Sequence, residues 1–270
     1  MSKSPPQDGS AQLCFTLEVA DGFYLTRLSA PTVAASAVPG QFVSLKVADS
    51  GTPLLRVPLS LLAADPIAGT IEVLYERVGP KTACLSQLSA GARVPCLGPL
   101  GRGFPAPASG RTPLLVGGGV GLPPLLFLGR QWRAAGRQEA VVLAGARHAG
   151  KHLPAAMLAA AGNQVRQATD DGSLGRRGLV TDLLAEALEE VSGAVVYTCG
   201  PHPMMAAVAR LCDERQVPCF ASLEAYMACG YGVCVGCVVE LAEGHRDGPY
   251  GRFSRVCIDG PVYSASQIAW

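Results

Sequence analysis

Residues Leu114–Leu128 read LLVGGGVGLPPLLFL, an apolar run cut by four glycines and a proline pair. A membrane-spanning helix needs roughly 20 apolar residues, and this run is both shorter and interrupted. It reads instead as strand, glycine loop and helix inside a globular unit. In that loop Gly117, Gly118, Gly119 and Gly121 let the backbone approach a pyrophosphate, and the helix start offers N–H groups and partial positive charge. The spacing is not G-x-G-x-x-G, so a plain tight turn stands beside nucleotide binding as a reading.

Downstream of the loop, strands alternate with helices. A helix over about Pro123–Ala135 leads to strand AVVLAGA (140–146), a helix near Ala155–Ala161, a turn, helix LVTDLLAEALEEV (179–191), strand AVVYTCG (194–200) and helix PMMAAVARLCDERQ (203–216). This alternation predicts a parallel sheet covered on both faces. Ligands bind such sheets at the carboxyl edge, where Cys199, Gly200 and Pro201 fall. Cys199 reads equally as a small buried residue. Asp170 and Asp171, before Gly172, read as a turn or cap, or as contacts to ribose or amide. Arg147, His148 and Lys151 form a basic loop that is either solvated or suited to a 2′-phosphate.

Upstream, LCFTLEVA, FYLTRLSA, QFVSLKVA, LLRVPLSLLA and TIEVLYERV lie between Leu13 and Val78, separated by Gly, Pro and Asp turns. Closely spaced strands of this kind predict a small antiparallel barrel. Within RVPLS (Arg56–Ser60), Pro58 argues against a fully paired strand, so either an edge or a ligand faces that backbone. The passage GPLGRGFPAPASGRTP (98–113) breaks the pattern and reads as the joint. The expected organisation is multidomain β plus α/β: a barrel over residues 11–110, a parallel-sheet domain over 111–221 and a small module over 222–270.

That last module carries Cys229, Cys234, Cys237 and Cys257, a C-x4-C-x2-C run plus one distant partner, the spacing of plant-type 2Fe-2S sites. Gly230, Gly232 and Gly236 let the loop wrap closely around cluster sulfurs. Four thiolates also suit structural zinc, which more often shows two C-x2-C knuckles where here only Cys234 and Cys237 form one. The polar start, MSKSPPQDGS, lacks the apolar core of a signal peptide, which predicts a cytoplasmic protein in which the other cysteines are thiols.

The chain has 270 residues, a net charge of +1 and 16% charged residues, so it offers no basic face for nucleic acid. Its hydrophobic content of 49% suits a subunit that buries surface against another chain. The four histidines show no metal-ligand spacing, and no Ser/His/Asp trio supports hydrolysis.

The motifs LLRVPLS, LYERVGPKT, GPLGRGF, VGGGVGLPPL, TDDGS, YTCGPHPM, SLEAYMACGYGVCVGC and RVCIDGPVY, in this order, cover nearly the whole chain. With them the chain resembles the ferredoxin reductase superfamily and, within it, the electron-transfer subunits of type B dihydroorotate dehydrogenases. The resemblance implies a barrel that binds FAD, a sheet domain that binds NAD and a 2Fe-2S module. It implies a partner subunit that oxidises dihydroorotate to orotate on FMN in pyrimidine biosynthesis, in a heterotetramer with two subunits of each kind. Electrons would pass through the cluster and FAD to NAD+, with no catalytic side chain acting as acid or base. FAD contacts would fall on Val57, Pro58, Leu59 and Ser60, on Leu74, Tyr75 and Glu76, and on Lys81 and Thr82. The glycine loop and Cys199-Gly200 would border the nicotinamide nucleotide, and the four cysteines would hold the cluster.

Three positions depart from the family pattern. Val57 stands where the flavin motif has an Arg, and Arg56 lies one place earlier, on the opposite face of a regular strand. Glu76 and Lys81 replace the usual Arg and Gly. GHRDGPYGRFSR (244–255) lengthens the gap before Cys257. A related FAD/2Fe-2S NAD(P)H reductase serving another partner, or a zinc-binding regulatory module, are the alternative readings.

Overall fold

The computed structural model describes residues 7–48, 51–137 and 140–270. The polar start Met1–Pro6, which bears on the signal-peptide reading, lies outside them. Six antiparallel strands close a barrel: β1 (Gln7–Ala20), β2 (Phe23–Ser29), β3 (Phe42–Leu45), β4 (Val57–Asp65), β5 (Thr70–Glu76) and β6 (Arg93–Leu100), in the order β1-β2-β5-β4-β3-β6. β6 pairs back with β1. The five expected strands are present. The sixth, β6, is hidden in the sequence by Pro95, Gly98 and Pro99, residues that ordinarily weaken a strand. Inward alternation buries Leu13, Leu28, Val43, Leu45, Ile71 and Val73. Two short helices, α1 (Pro31–Ala34) and α2 (Pro80–Gln87), accompany the barrel.

β4 explains the proline in RVPLS. Val57–Ser60 pair with β3, whereas Leu61–Asp65 pair with β5, with a register shift between Leu61 and Ala63. Leu74–Glu76 of β5 pair with β2 on their other side. The two strands therefore part at one end and leave main-chain edges facing a gap rather than each other.

The second unit runs β7 (Thr112–Gly118), α3 (Leu122–Ala134), β8 (Val141–Ala146), α4 (Ala155–Ala159), β9 (Gln164–Thr169), β10 (Arg176–Arg177), α5 (Val180–Glu190), β11 (Ala194–Cys199), α6 (His202–Glu214) and β12 (Cys219–Ser222). β7 and β11 are nearly continuous apolar runs because helices cover both faces. β9 occupies part of the stretch read as a turn: its exposed Gln164 and half-exposed Arg166 and Gln167 disguise a strand near the sheet's edge. The C-terminal module contributes a ribbon of β13 (Val238–Glu240) and β14 (Phe253–Arg255), so part of the inserted GHRDGPYGRFSR stretch is strand rather than loop. Its β15 (Val262–Ser264) then adds antiparallel to β12, giving the order β10-β9-β8-β7-β11-β12-β15.

Shared apolar clusters lock the units together. Phe23, Leu62 and Leu74 from the barrel pack with Leu122, Leu125 and Leu126 of α3. Each such fully buried side chain stabilises by about 1.5–3 kcal/mol. Phe42 and Leu100 of the barrel pack with Leu223, Cys237, Val256 and Tyr263, which keys the C-terminal module to the barrel. Among the described residues, no helix is long and apolar enough to cross a membrane.

Candidate functional site

Two cavities meet where the three units join. The first, of about 500 Å³, lies at the carboxyl edge of the sheet between β7 and β11, where strand order reverses. Crevices at such switch points are the usual ligand sites of open α/β sheets. The second, of about 330 Å³, fills the gap between the diverging ends of β4 and β5. Glu76, Val120 and Glu224 line both cavities.

The glycines of the loop have separate tasks. Gly118 and Gly119 line the first cavity, and Gly119 has a φ of +56° that favours glycine. Gly117 and Gly121 are outside its wall. A Cβ on Gly117 would lie 2.8 Å from Leu122, and one on Gly121 would lie 2.1 Å from the carbonyl oxygen of Cys199. Those two glycines let α3 sit against the strands.

Gly200 and Pro201 also line the first cavity, whereas the Cys199 side chain is 1% exposed and sits in the core. Burial, with the nearby Glu224 carboxyl second, pushes the Cys199 thiol well up, which keeps it a neutral packing group. Asp170 faces the cavity. Asp171 turns away, its carboxylate accepting from the Ser173 amide at 2.9 Å and the Ser173 hydroxyl at 2.6 Å.

Among the three basic residues of the neighbouring loop, Arg147 and Lys151 line the cavity and His148 does not. Lys151 is already engaged. Its ammonium donates to Glu76 at 2.7 Å and to the Asp21 carbonyl at 2.8 Å, so it bridges the sheet unit to the barrel.

In the second cavity Val57, Pro58, Leu59, Ser60, Leu74, Tyr75, Glu76 and Thr82 form the wall. Arg56 does not join them. Its guanidinium donates to Asp8 at 2.9 Å and to the carbonyls of Ser44 and Pro95 at 3.3 and 3.2 Å. Because adjacent strand residues point to opposite faces, Val57 enters the apolar barrel cluster while Arg56 leaves it. Thr82 caps α2: its hydroxyl accepts from the Val78 and Gly79 amides at 3.1 and 3.2 Å. Tyr75 has its hydroxyl 3.2 Å from that of Thr26, and burial drives its pKa up to about 12.

Glu224 escapes sequence reading, although it lies inside the motif SLEAYMACGYGVCVGC. So do Phe23, Val120, Tyr226 and Met227, because nothing local marks them as cavity walls. Glu224 is crowded by protein atoms yet open to both cavities, and that desolvation raises its carboxyl pKa. Tyr226 and Met227 line the second cavity just before the first cysteine, Cys229.

The thiols of the cysteine loop associate in pairs. The Cys234 amide points at the Cys229 sulfur at 3.5 Å. Burial alone would raise the Cys229 thiol, but the Cys234, Tyr231 and Val233 amides and the Cys234 side chain bring it down to about 6. This favours the ligating thiolate. Cys257 is pushed up to about 12 by burial and by its neighbour Cys237. Among the described residues, no group of three or more His, Cys, Asp or Glu side chains is drawn together around one point. Two thiol pairs with amide donors aimed at sulfur suit a cluster with two irons, each held by one pair. Gly230 and Gly232, at φ +78° and +89°, give the loop its turns, and a Cβ on Gly232 would lie 2.3 Å from Ile258.

Comparison with known proteins now becomes informative. Residues 224–269 match the model of the iron-sulfur cluster binding domain of dihydroorotate dehydrogenase B, and residues 115–210 match an oxidoreductase NAD-binding domain. The chain is 43% identical over 255 residues to the dihydroorotate dehydrogenase B (NAD(+)), electron transfer subunit of Geobacillus thermodenitrificans, covering 93% of this chain and 94% of that one. The chain belongs to this electron transfer subunit family. The Listeria monocytogenes member is 40% identical over 256 residues, with 93% and 94% covered. A structure of an NADH-dependent reduced ferredoxin-NADP oxidoreductase superposes with a TM-score of 0.84 at 26% identity, over 96% of this chain and 90% of that one. Within the family frame, the barrel, parallel sheet and C-terminal module agree with the expected fold class.

Proposed function

We propose that this family member passes electrons from a partner dehydrogenase, which oxidises dihydroorotate to orotate on FMN, through a 2Fe-2S cluster and FAD to NAD+ in pyrimidine biosynthesis. One observation carries the reading: the two cavities share Glu76, Val120 and Glu224, and the wall segment Leu223–Met227 runs directly into the cysteine loop. A relay needs its carriers side by side, and this arrangement brings three sites together. When bound, the flavin accepts electrons singly or in pairs and so joins cluster chemistry to hydride chemistry.

The residues divide the work. Val57–Ser60, Leu74–Glu76 and Thr82 border the flavin, with open strand edges available for main-chain hydrogen bonds. Gly118, Gly119, Asp170, Gly200 and Pro201 border the nicotinamide nucleotide. The Asp170 carboxylate suits a ribose hydroxyl, and with Lys151 occupied by Glu76 the basic side chain of that loop left on the wall is Arg147. Cys229, Cys234, Cys237 and Cys257 hold the irons.

The partner surface is the face around the cluster. Val233 and Tyr231 are 72% and 49% exposed. Tyr250 and Phe253 of the insertion are also exposed. Apolar surface of this kind is characteristic of interaction sites. We place two such chains with two catalytic subunits in the cytoplasm, where reducing conditions keep thiols available to ligate iron.

The test is anaerobic purification of the full chain with its catalytic subunit, followed by iron and flavin analysis, EPR after dithionite and assay with dihydroorotate and NAD+. The expected result is two irons and one FAD per chain with dihydroorotate-dependent NADH formation. A colourless, zinc-loaded chain would refute the relay.

A further inference from the structure

We propose that Lys81, at the start of α2, supplies the cationic contact for the diphosphate of the bound flavin dinucleotide. The inference rests on the flavin reading above and assigns a residue within that site. The wall of the second cavity contains two carboxyl side chains, Glu76 and Glu224, and no basic side chain. A diphosphate placed there meets no compensating charge from the wall itself, yet ionised phosphate oxygens bind best to charged donors.

At the Val57 end of the cavity two cations are near. Arg56 is withdrawn, because its guanidinium is tied to Asp8 and two barrel carbonyls. Val57 is 6% exposed within the apolar barrel cluster, so that position contributes no charge. Lys81 is different. Its ammonium lies 3.2 Å from the carbonyl oxygen of Arg56, the main-chain atom preceding the cavity residue Val57. Its chain neighbour Thr82 is itself in the wall.

Among the described residues no carboxylate forms an ion pair with Lys81. The ammonium is held by a neutral acceptor beside the segment that leads into the wall at Val57, and it has donors left for an anion. The hydroxyl of Thr82 is already spent on the α2 cap, which leaves the Lys81 ammonium as the side-chain donor with charge to offer. The field of the eight-residue α2 has the same sign at this end.

The test uses the full-length chain stripped of flavin and titrated with FAD and with riboflavin, which keeps the ring and lacks phosphate. Binding is followed by flavin fluorescence and absorbance. Lys81→Met should weaken FAD at least about tenfold and leave riboflavin affinity unchanged. It should also flatten the salt dependence of FAD binding. Lys81→Arg and Arg56→Met should both keep FAD affinity within about twofold of wild type.

A Lys81→Met protein that binds FAD within about twofold of wild type overturns the proposal and leaves the flavin reading standing. Equal losses for FAD and riboflavin also overturn it, since they report a damaged cavity rather than a lost charge contact. A wild-type chain that binds no FAD overturns the flavin reading and this proposal with it. Lys81→Gln repeats the comparison if the Met variant does not fold.

Discussion

Glu224 shows how a side chain acquires its character from neighbours remote in sequence. As a residue in SLEAYM it is an ordinary carboxylate; between two cavities it is ringed by protein atoms while its side chain stays open to solvent, and this partial desolvation raises its pKa from the ordinary 4.5. The sign follows from linkage. Below 4.5 both folded and unfolded chains are protonated there and no cost exists; as pH rises, the unfolded chain ionises first, so the folded state loses stability progressively until its own raised pKa is passed. Glu224→Gln should therefore raise the melting temperature of the cofactor-free chain at about pH 8 and leave it unchanged at about pH 4, read by thermal melts across that range. An equal gain at both ends would show that ionisation is not the cause. Cys229, Cys234 and Cys237 are the opposite case, since their C-x4-C-x2-C spacing is carried by near neighbours.

At the scale of elements, the segment β7–loop–α3 is the clearest example of sequence dictating geometry. Its apolar strand and helix are set by local pattern, and its glycines by two different needs, ligand approach and close packing. These needs are separable. Gly121→Ala places a Cβ 2.1 Å from the Cys199 carbonyl and 2.5 Å from the Gly200 amide nitrogen, both main-chain atoms that cannot swing aside. It should lower the unfolding free energy by about 1–3 kcal/mol in urea titrations. Gly119→Ala meets nothing nearer than Phe23 at 3.9 Å and bears only the left-handed backbone penalty of about 1–2 kcal/mol. If Gly119→Ala proved the more damaging to stability, the division of tasks would be wrong. β4 was less legible: Pro58 announces incomplete pairing, but which edge opens depends on where β5 diverges.

For the whole molecule, the bridge from Lys151 to Glu76 and the Asp21 carbonyl joins the sheet unit to the barrel beside both cavities. The Asp21 amide also donates to the Gly150 carbonyl at 2.9 Å. Lys151→Met should cost about 1–2 kcal/mol of stability in denaturant titrations, since it leaves a half-buried carboxylate without its partner. It should also weaken NADH binding in steady-state kinetics by loosening the shared wall. A variant unchanged in both measurements would mean that the apolar cluster around Leu122 and Leu125 suffices to hold the units in register.

Strand and helix periodicity, the glycine loop, the cysteine quartet and the order of the three units were set by the sequence by itself, because each of these signals is carried by residues a few places apart or by their order along the chain. Only the tertiary structure decided that Arg56 turns away, that the Lys81 ammonium reaches the Arg56 carbonyl, that Cys199 is core, and that Glu76, Val120 and Glu224 meet. Those outcomes depend on strand registers and packing between segments distant along the chain, which no local pattern encodes.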